Sequence, residues 1–284
     1  MSGPLFVVGC PRSGTSLFAR WLDACGLTSA SDDRRREGYP SGFFEHMPML
    51  MFHKAIERLS RGADHAIKLE PFLRSELLQD PFIKETFALA FAPALRGEVD
   101  FVKFPQLALS IDFLLEQFPG ARVLALWRDP VTSFRSLVRR EFPREMLPAA
   151  GIKAILLWDL YAYHIERASQ TYPRDVTVVH VDAFLRDPTA GTGLLARLGL
   201  DPSRAHPVEE IADLSSWRRP VPLPWRAYHA AMRWTCRLLE SRLGPERGVL
   251  ADQGRWVRAL ADVSTPGGDG AARSRAGFAR GEQA

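Results

Sequence analysis

Cysteine is scarce in this sequence, with three residues, Cys10, Cys25 and Cys236, among 284. An odd count without CxxC or Cys/His spacing argues against a disulfide framework and against a zinc site. No apolar run reaches about 18 residues, the length that a membrane-spanning helix needs. The first residues lack the basic stretch of a signal peptide. We therefore expect a cytoplasmic protein that is neither exported through such a signal nor inserted in a membrane.

The sequence also has little excess charge. Lys and Arg number 37 against 33 for Asp and Glu, which leaves a net charge of +4. So small a surplus does not indicate a nucleic-acid partner, for which clustered basic residues are typical. Apolar residues make up 46% of the chain and charged residues 25%, so the chain can bury a core of ordinary size.

Short apolar runs alternate with helical patterns along most of the chain. The predicted strands are 5–8, 99–104, 122–127 and 176–181, and the predicted helices are 16–25, 49–61, 75–95, 107–115, 152–170, 194–198 and 225–243. Strands that alternate with helices are typical of a parallel sheet covered on both faces. We therefore predict an α/β fold of three layers, with a central, mostly parallel sheet flanked by helices.

Two stretches interrupt this alternation. Residues 26–98 contain a long excursion of loops and helices, which we expect to line a substrate site, since long loops in compact domains are usually functional or mobile. Residues 265–284 are rich in Gly, Ala, Arg and Ser, and this composition predicts a disordered tail. The folded domain is therefore predicted to span residues 1–264.

The loop between the first strand and the first helix reads Gly9-Cys10-Pro11-Arg12-Ser13-Gly14-Thr15-Ser16. A glycine loop that leads into a helix binds phosphate-like anions, because backbone N–H groups point at the ligand. The glycines have the spacing of GxxxxGK[ST], but Thr15 occupies the lysine position, so a triphosphate would lack its main cation. Arg12 and the hydroxyls of Ser13, Thr15 and Ser16 instead predict a site for one phosphate-like group.

A second cation follows the strand predicted over 122–127. Arg128 comes directly after this strand and Ser136 lies on the next helix, at the edge where open parallel sheets bind ligands. We expect the pair to clamp a second phosphate. A nucleotide hydrolase would place a magnesium-binding carboxylate here. Asp129 is nearby, but capping of the next helix is the interpretation we favour.

These segments resemble the nucleotide-binding motifs of a known family. Loop 9–16 is similar to the 5′-phosphosulfate loop of sulfotransferases that use 3′-phosphoadenosine-5′-phosphosulfate (PAPS), and Arg128 with Ser136 is similar to their 3′-phosphate motif. Lys103-Phe104-Pro105 resembles their strand-end lysine motif, and Gly42-Phe43-Phe44-Glu45 resembles a segment of bacterial members. The resemblance covers residues 5–200 and implies a PAPS-dependent sulfotransferase with a P-loop-like fold.

The resemblance also implies roles for individual residues. Arg12 and its loop would hold the 5′-phosphate, and Lys103 would meet the oxygen that becomes negative during transfer. The acceptor hydroxyl or amine must lose a proton, for which Glu45 is the predicted base and His46 the alternative. This chemistry requires no metal. We expect a small-molecule acceptor, and an apolar or aromatic alcohol fits the residues around 43–72 better than a polyanionic glycan does.

Two other functions fit parts of the pattern. The glycine loop and Asp129 also suit a small-molecule kinase or a degenerate nucleotide hydrolase, which Thr15 at the lysine position disfavours. The arginine runs also allow a nucleotide-binding protein without turnover. The Arg-Lys-Gly loop that closes over the nucleotide in cytosolic animal sulfotransferases has no counterpart here, so capping of the adenosine is unassigned. The sequence carries no signal for an oligomeric state.

Overall fold

The structure, a computed structural model, describes residues 3–30, 48–49, 51–52, 78–140, 147–211 and 220–243. At its centre, four parallel strands form a sheet in the order β2-β1-β3-β4. The strands are β1 Leu5–Gly9, β2 Phe101–Lys103, β3 Arg122–Trp127 and β4 Val176–His180. The parallel sheet confirms the predicted α/β class.

Helices connect the strands and cover both faces of the sheet. Those with defined bounds are α1 Thr15–Ala24, α2 Pro81–Leu95, α3 Ile111–Gln117, α4 Pro130–Arg140, α5 Leu147–Thr171, α6 Val181–Phe184, α7 Ala190–Arg197 and α8 Leu223–Leu243. Short 3₁₀ segments span Pro105–Ser110, Pro202–Arg204 and Val208–Glu210. No helix in the described ranges has the length and apolarity needed to span a bilayer.

The alternation of side chains along β1 supplies two hydrophobic cores. Leu5 and Val7 pack on one face of the sheet, with residues of α1 and of the helices after β4. Phe6 and Val8 pack on the other face, with residues of α2, α4 and α5. Because both faces are covered, the strand is apolar at every position, as is usual in parallel sheets. The predicted three layers are therefore present.

Several helix boundaries differ from those predicted, and two of the differences have a clear physical reason. Helix α2 begins at Pro81 rather than at residue 75, because the Asp80 carboxylate accepts hydrogen bonds from the N–H groups of Phe82 and Ile83 at 2.9 and 3.1 Å. The helix predicted over 107–115 is in fact a 3₁₀ segment followed by α3. The 3₁₀ segment starts directly after β2 at Pro105, which has no N–H to bond.

The last described helix, α8, packs closely on α5. A Cβ atom on Gly151 of α5 would lie 2.5 Å from Met232 Cγ and 2.6 Å from Tyr228 Oη, so glycine permits this approach. Arg233 of α8 pairs with Asp159 of α5 at 2.5 Å. Most of the excursion over 26–98 and the whole tail over 265–284 lie outside the described residues, so both remain predictions.

Candidate active site

The glycine loop folds back tightly over the end of β1. A Cβ atom on Gly9 would lie 2.6 Å from Ser13 Oγ and 2.8 Å from the carbonyl oxygen of Leu126, so this position requires glycine. The Ser13 N–H donates to the Cys10 carbonyl at 3.0 Å and closes the turn. Gly14, with φ of 103°, then caps α1. The predicted strand, loop and helix are all present.

The loop has the features of an anion site. Ser13 is 1% exposed, and its hydroxyl has no hydrogen-bond partner in the part of the chain that is described. A buried hydroxyl without a partner is costly unless a ligand satisfies it. Helix α1 has neither a side-chain cap nor an acidic residue in its first turn, so the positive end of its dipole is not neutralised there. A phosphate-like group fits these donors.

Arg12 stands out in this loop because of its backbone. Its φ is 72°, a left-handed conformation that non-glycine residues rarely adopt and that often occurs at functional sites. Its Nε donates to Ser136 Oγ on α4 at 3.1 Å. The structure thus joins a residue assigned to the 5′-phosphate with one assigned to the 3′-phosphate.

Arg128, the first residue after β3, lies beside the same loop. Its side chain is 10% exposed, and its Nη1 donates to the Arg12 carbonyl oxygen at 3.4 Å. Burial lowers the pKa of the Arg128 guanidinium, and the charge of Arg12 lowers it further, whereas Asp182 acts in the opposite direction. Arg128 is thus a largely desolvated cation on which the charge of Arg12 also acts, and such a pair of cations attracts an anion.

Asp182 is the site residue that sequence reasoning missed. It lies in α6, directly after β4, and its Oδ1 pairs with Arg128 Nε at 3.5 Å. Its Oδ2 accepts a hydrogen bond from the Asp129 N–H at 3.0 Å. One signal could have found it, because the carboxyl ends of neighbouring parallel strands meet at one edge and Asp182 is the first acidic residue after β4.

Asp129 caps helix α4, as the sequence suggested. Its Oδ1 accepts hydrogen bonds from the N–H and the hydroxyl of Thr132 at 2.8 and 2.9 Å. An N-cap of this kind satisfies N–H groups that the helix itself leaves unbonded. One oxygen of the Asp129 carboxylate is therefore engaged with the protein.

Lys103 ends β2, with its backbone level with Val7 of β1. Its side chain is 2% exposed, which is rare for lysine. Phe101 packs in the α1 core, and the two-residue period of a strand places Lys103 on that same face. The loop that precedes α1 ends on this face, so Lys103 and the glycine loop share one side of the sheet.

Residues 4–203 match the profile described as the sulfotransferase family. The chain belongs to this family. None of the curated proteins matches the sequence. The matched segment contains β1 to β4 together with the glycine loop, Lys103, Arg128, Ser136 and Asp182. Family membership supports sulfuryl transfer as the activity of this sulfotransferase.

Three bacterial proteins of known structure are similar to this sulfotransferase. The sulfotransferase domain of the Synechococcus PCC 7002 olefin synthase shares 17% identity over 91% of this chain and 94% of its own, with a TM-score of 0.47. Sulfotransferase STF1 from Mycobacterium tuberculosis H37Rv shares 17% identity over 81% of this chain and 76% of its own, with a TM-score of 0.43. Sulfotransferase STF9 from Mycobacterium avium shares 15% identity over 76% of this chain and 69% of its own, with a TM-score of 0.41.

The predicted bases cannot be placed in this site, because Glu45 and His46 lie outside the described residues. Of the apolar residues near them in sequence, Met49, Met51 and Phe52 are described. Met49 and Phe52 are buried in the core of the sulfotransferase, whereas Met51 is 59% exposed. In the described ranges, no group of three His, Cys, Asp or Glu side chains is arranged to hold a metal ion.

Proposed function

We propose that this sulfotransferase moves the sulfuryl group of PAPS to the hydroxyl or amine of a small-molecule acceptor. The observation that carries the proposal is the contact between the two predicted phosphate motifs. Arg12 donates to Ser136, and Arg128 donates to the carbonyl of Arg12. A donor with a 5′-phosphosulfate and a 3′-phosphate has one anionic group for each arginine, whereas ATP has a single chain of phosphates.

The residues at the carboxyl edge of the sheet have two roles, which are binding of the nucleotide and stabilisation of the charge that develops during transfer. When bound, PAPS supplies the sulfuryl group and a phosphate that accepts negative charge as it leaves. Arg12, Ser13 and the N–H groups at the start of α1 hold the 5′ side, and Arg128 holds the 3′-phosphate. Lys103 donates to the oxygen on which charge develops, as positively charged groups do in phosphoryl transfer.

Removal of the acceptor proton is assigned to Glu45, with His46 as the alternative. This assignment rests on the sequence alone. The Glu45→Gln variant keeps the size of the side chain but loses its basic site, so turnover is expected to fall by about 10²- to 10⁴-fold while nucleotide binding persists. Normal transfer by Glu45→Gln together with lost transfer by His46→Gln would move the base to His46.

A kinase or hydrolase is the second candidate, and it is supported by the glycine loop and by Asp129. Asp129 caps helix α4 through Thr132, and Thr15 at the position of the lysine that a triphosphate needs favours the sulfotransferase proposal instead. The cytoplasmic location, expected from the scarcity of cysteine, remains a prediction.

Calorimetric titration tests the choice of nucleotide. Adenosine 3′,5′-bisphosphate should bind in the presence of EDTA and more tightly than ATP, and Mg²⁺ should not be required. Transfer from PAPS to a panel of phenols, alcohols and amines then separates an enzyme from a binding protein without turnover. Tighter, magnesium-dependent binding of ATP would refute the proposal in favour of a nucleotide hydrolase or kinase.

A further inference from the structure

Asp182 contacts the side chain of Arg128, which is predicted to bind the 3′-phosphate, and the backbone of the next residue, Asp129. One carboxylate oxygen pairs with the Arg128 side chain at 3.5 Å, and the other accepts the N–H of Asp129 at 3.0 Å. The first contact is an ion pair rather than a hydrogen bond and orients the guanidinium by charge. The second contact holds the backbone from which the guanidinium extends. The next residues are held in turn by the Asp129 cap on Thr132.

We propose that Asp182 is a positioning residue that sets the preference of this sulfotransferase for nucleotides with a 3′-phosphate, acting through Arg128. The inference rests on the proposed function, because it takes Arg128 as the ligand of that phosphate. A buried guanidinium that is held in one orientation binds a phosphate without losing further side-chain freedom.

The charge of Asp182 has two opposite effects on a bound phosphate. It orients Arg128 by direct contact, and it also repels the phosphate across a longer distance. The Asp182 side chain is 28% exposed, against 10% for Arg128, so water screens the repulsion more than it screens the contact. The orienting effect is therefore expected to dominate.

The Asp182→Asn variant breaks this arrangement with almost no change in shape. An amide has one oxygen, so it can accept from Asp129 N–H or from Arg128 Nε, while its NH₂ group faces the other donor. Asp187→Asn is the matched control, because Asp187 is exposed and its Oδ1 accepts from the N–H and hydroxyl of Thr189 at 2.8 and 2.7 Å rather than contacting Arg128.

The measurement is the ratio of the dissociation constants for adenosine 5′-monophosphate and adenosine 3′,5′-bisphosphate, by calorimetry on the full chain. We expect Asp182→Asn to lower this ratio by about tenfold, the effect of one charge-assisted hydrogen bond, and Asp187→Asn to leave it unchanged. Loss of general stability would weaken both nucleotides alike, and the melting temperature monitors it. Asp182→Ser, which keeps an acceptor but no carboxylate, replaces the asparagine variant if that variant does not fold.

A double-mutant cycle distinguishes action through Arg128 from action elsewhere. In the Arg128→Ala background, Asp182→Asn should have no further effect on the ratio. An unchanged ratio in the single variant, tighter binding of the bisphosphate, or an additive effect in the double variant would overturn the role of Asp182. A wild-type protein that binds both nucleotides equally would instead overturn the 3′-phosphate assignment of Arg128, and with it this inference.

Discussion

The two ends of the sheet carry similar charged residues in opposite environments. At the amino end, a cavity of about 500 Å³ is lined by Arg96 and Asp100 among other residues. Arg96 is 61% exposed and pairs with Glu98, and Asp100 accepts the N–H of Thr28 at 2.8 Å. At the carboxyl end, Lys103 and Arg128 are buried, and the Ser13 hydroxyl has no partner in the described residues.

The difference indicates which end of the sheet is suited to an anionic ligand. At the amino end, Arg96 and Asp100 already have partners in the chain. At the carboxyl end, Lys103 and Arg128 are largely removed from water, and the low dielectric there strengthens their attraction for an anion. We therefore expect the carboxyl end to bind the ligand.

Among the residues that the structure describes, the largest effect is expected at Lys103. Lys103→Met keeps much of the side-chain length but removes the charge, so transfer should fall by about 10²- to 10³-fold, the usual effect of losing one donor to a developing charge. Affinity for adenosine 3′,5′-bisphosphate should change little. Lys84→Met, at an exposed position of α2, is the control and should keep full activity. Single-turnover transfer and calorimetry check both points, and normal transfer by Lys103→Met would remove Lys103 from the mechanism.

The same contrast between burial and exposure can be tested away from the site, at His164 of α5. Burial lowers the pKa of His164 from 6.5 to about 4. Below pH 6.5 the unfolded chain therefore takes up a proton that the folded chain does not. The free energy of unfolding should fall by up to about 3 kcal/mol as the pH drops from 6.5 to about 4, and this loss should level off below that pH.

Denaturant titrations of His164→Gln over this pH range measure the effect. The variant should lose the His164 part of the pH dependence, so its stability should decline less steeply than that of the wild type. Equal slopes for wild type and His164→Gln would contradict the prediction.

Arg128 and Arg96 compare the two sheet ends directly. Arg128→Ala should weaken binding of adenosine 3′,5′-bisphosphate by about 1.5–3 kcal/mol, because a charge-assisted hydrogen bond to the 3′-phosphate is lost, and should affect adenosine 5′-monophosphate much less. Arg96→Ala should leave both affinities unchanged. Calorimetry with the two nucleotides measures these affinities. Equal losses of affinity for both nucleotides in Arg128→Ala would refute the assignment of Arg128 to the 3′-phosphate.

The sequence predicted those residues of the candidate site that directly follow a strand in the chain. The loop over 9–16 and Arg128 were found because each directly follows an apolar strand, and strand ends of a parallel sheet share one edge. Asp182 was not assigned, because its partner Arg128 follows a different strand. The two residues meet only through a tertiary contact, which the sequence does not show. The start of α2 was placed too early, since helical spacing continued past the cap at Asp80. The burial of Lys103 also depends on how α1 packs over β2.

The smallest effect concerns the contact between the two phosphate motifs. Ser136→Ala removes the acceptor of Arg12 Nε, so affinity for adenosine 3′,5′-bisphosphate should fall by about 0.5–1.5 kcal/mol, and a cycle with Arg12→Ala should reveal coupling between the two residues. Ser133 lies one turn earlier on α4 and provides the control. Its hydroxyl is fully buried and, in the described part of the chain, has no hydrogen-bond partner. Ser133→Ala should therefore leave affinity unchanged and keep or raise the melting temperature, since it removes an unsatisfied polar group. If the two alanine variants behave alike, the Arg12–Ser136 contact makes no contribution to binding.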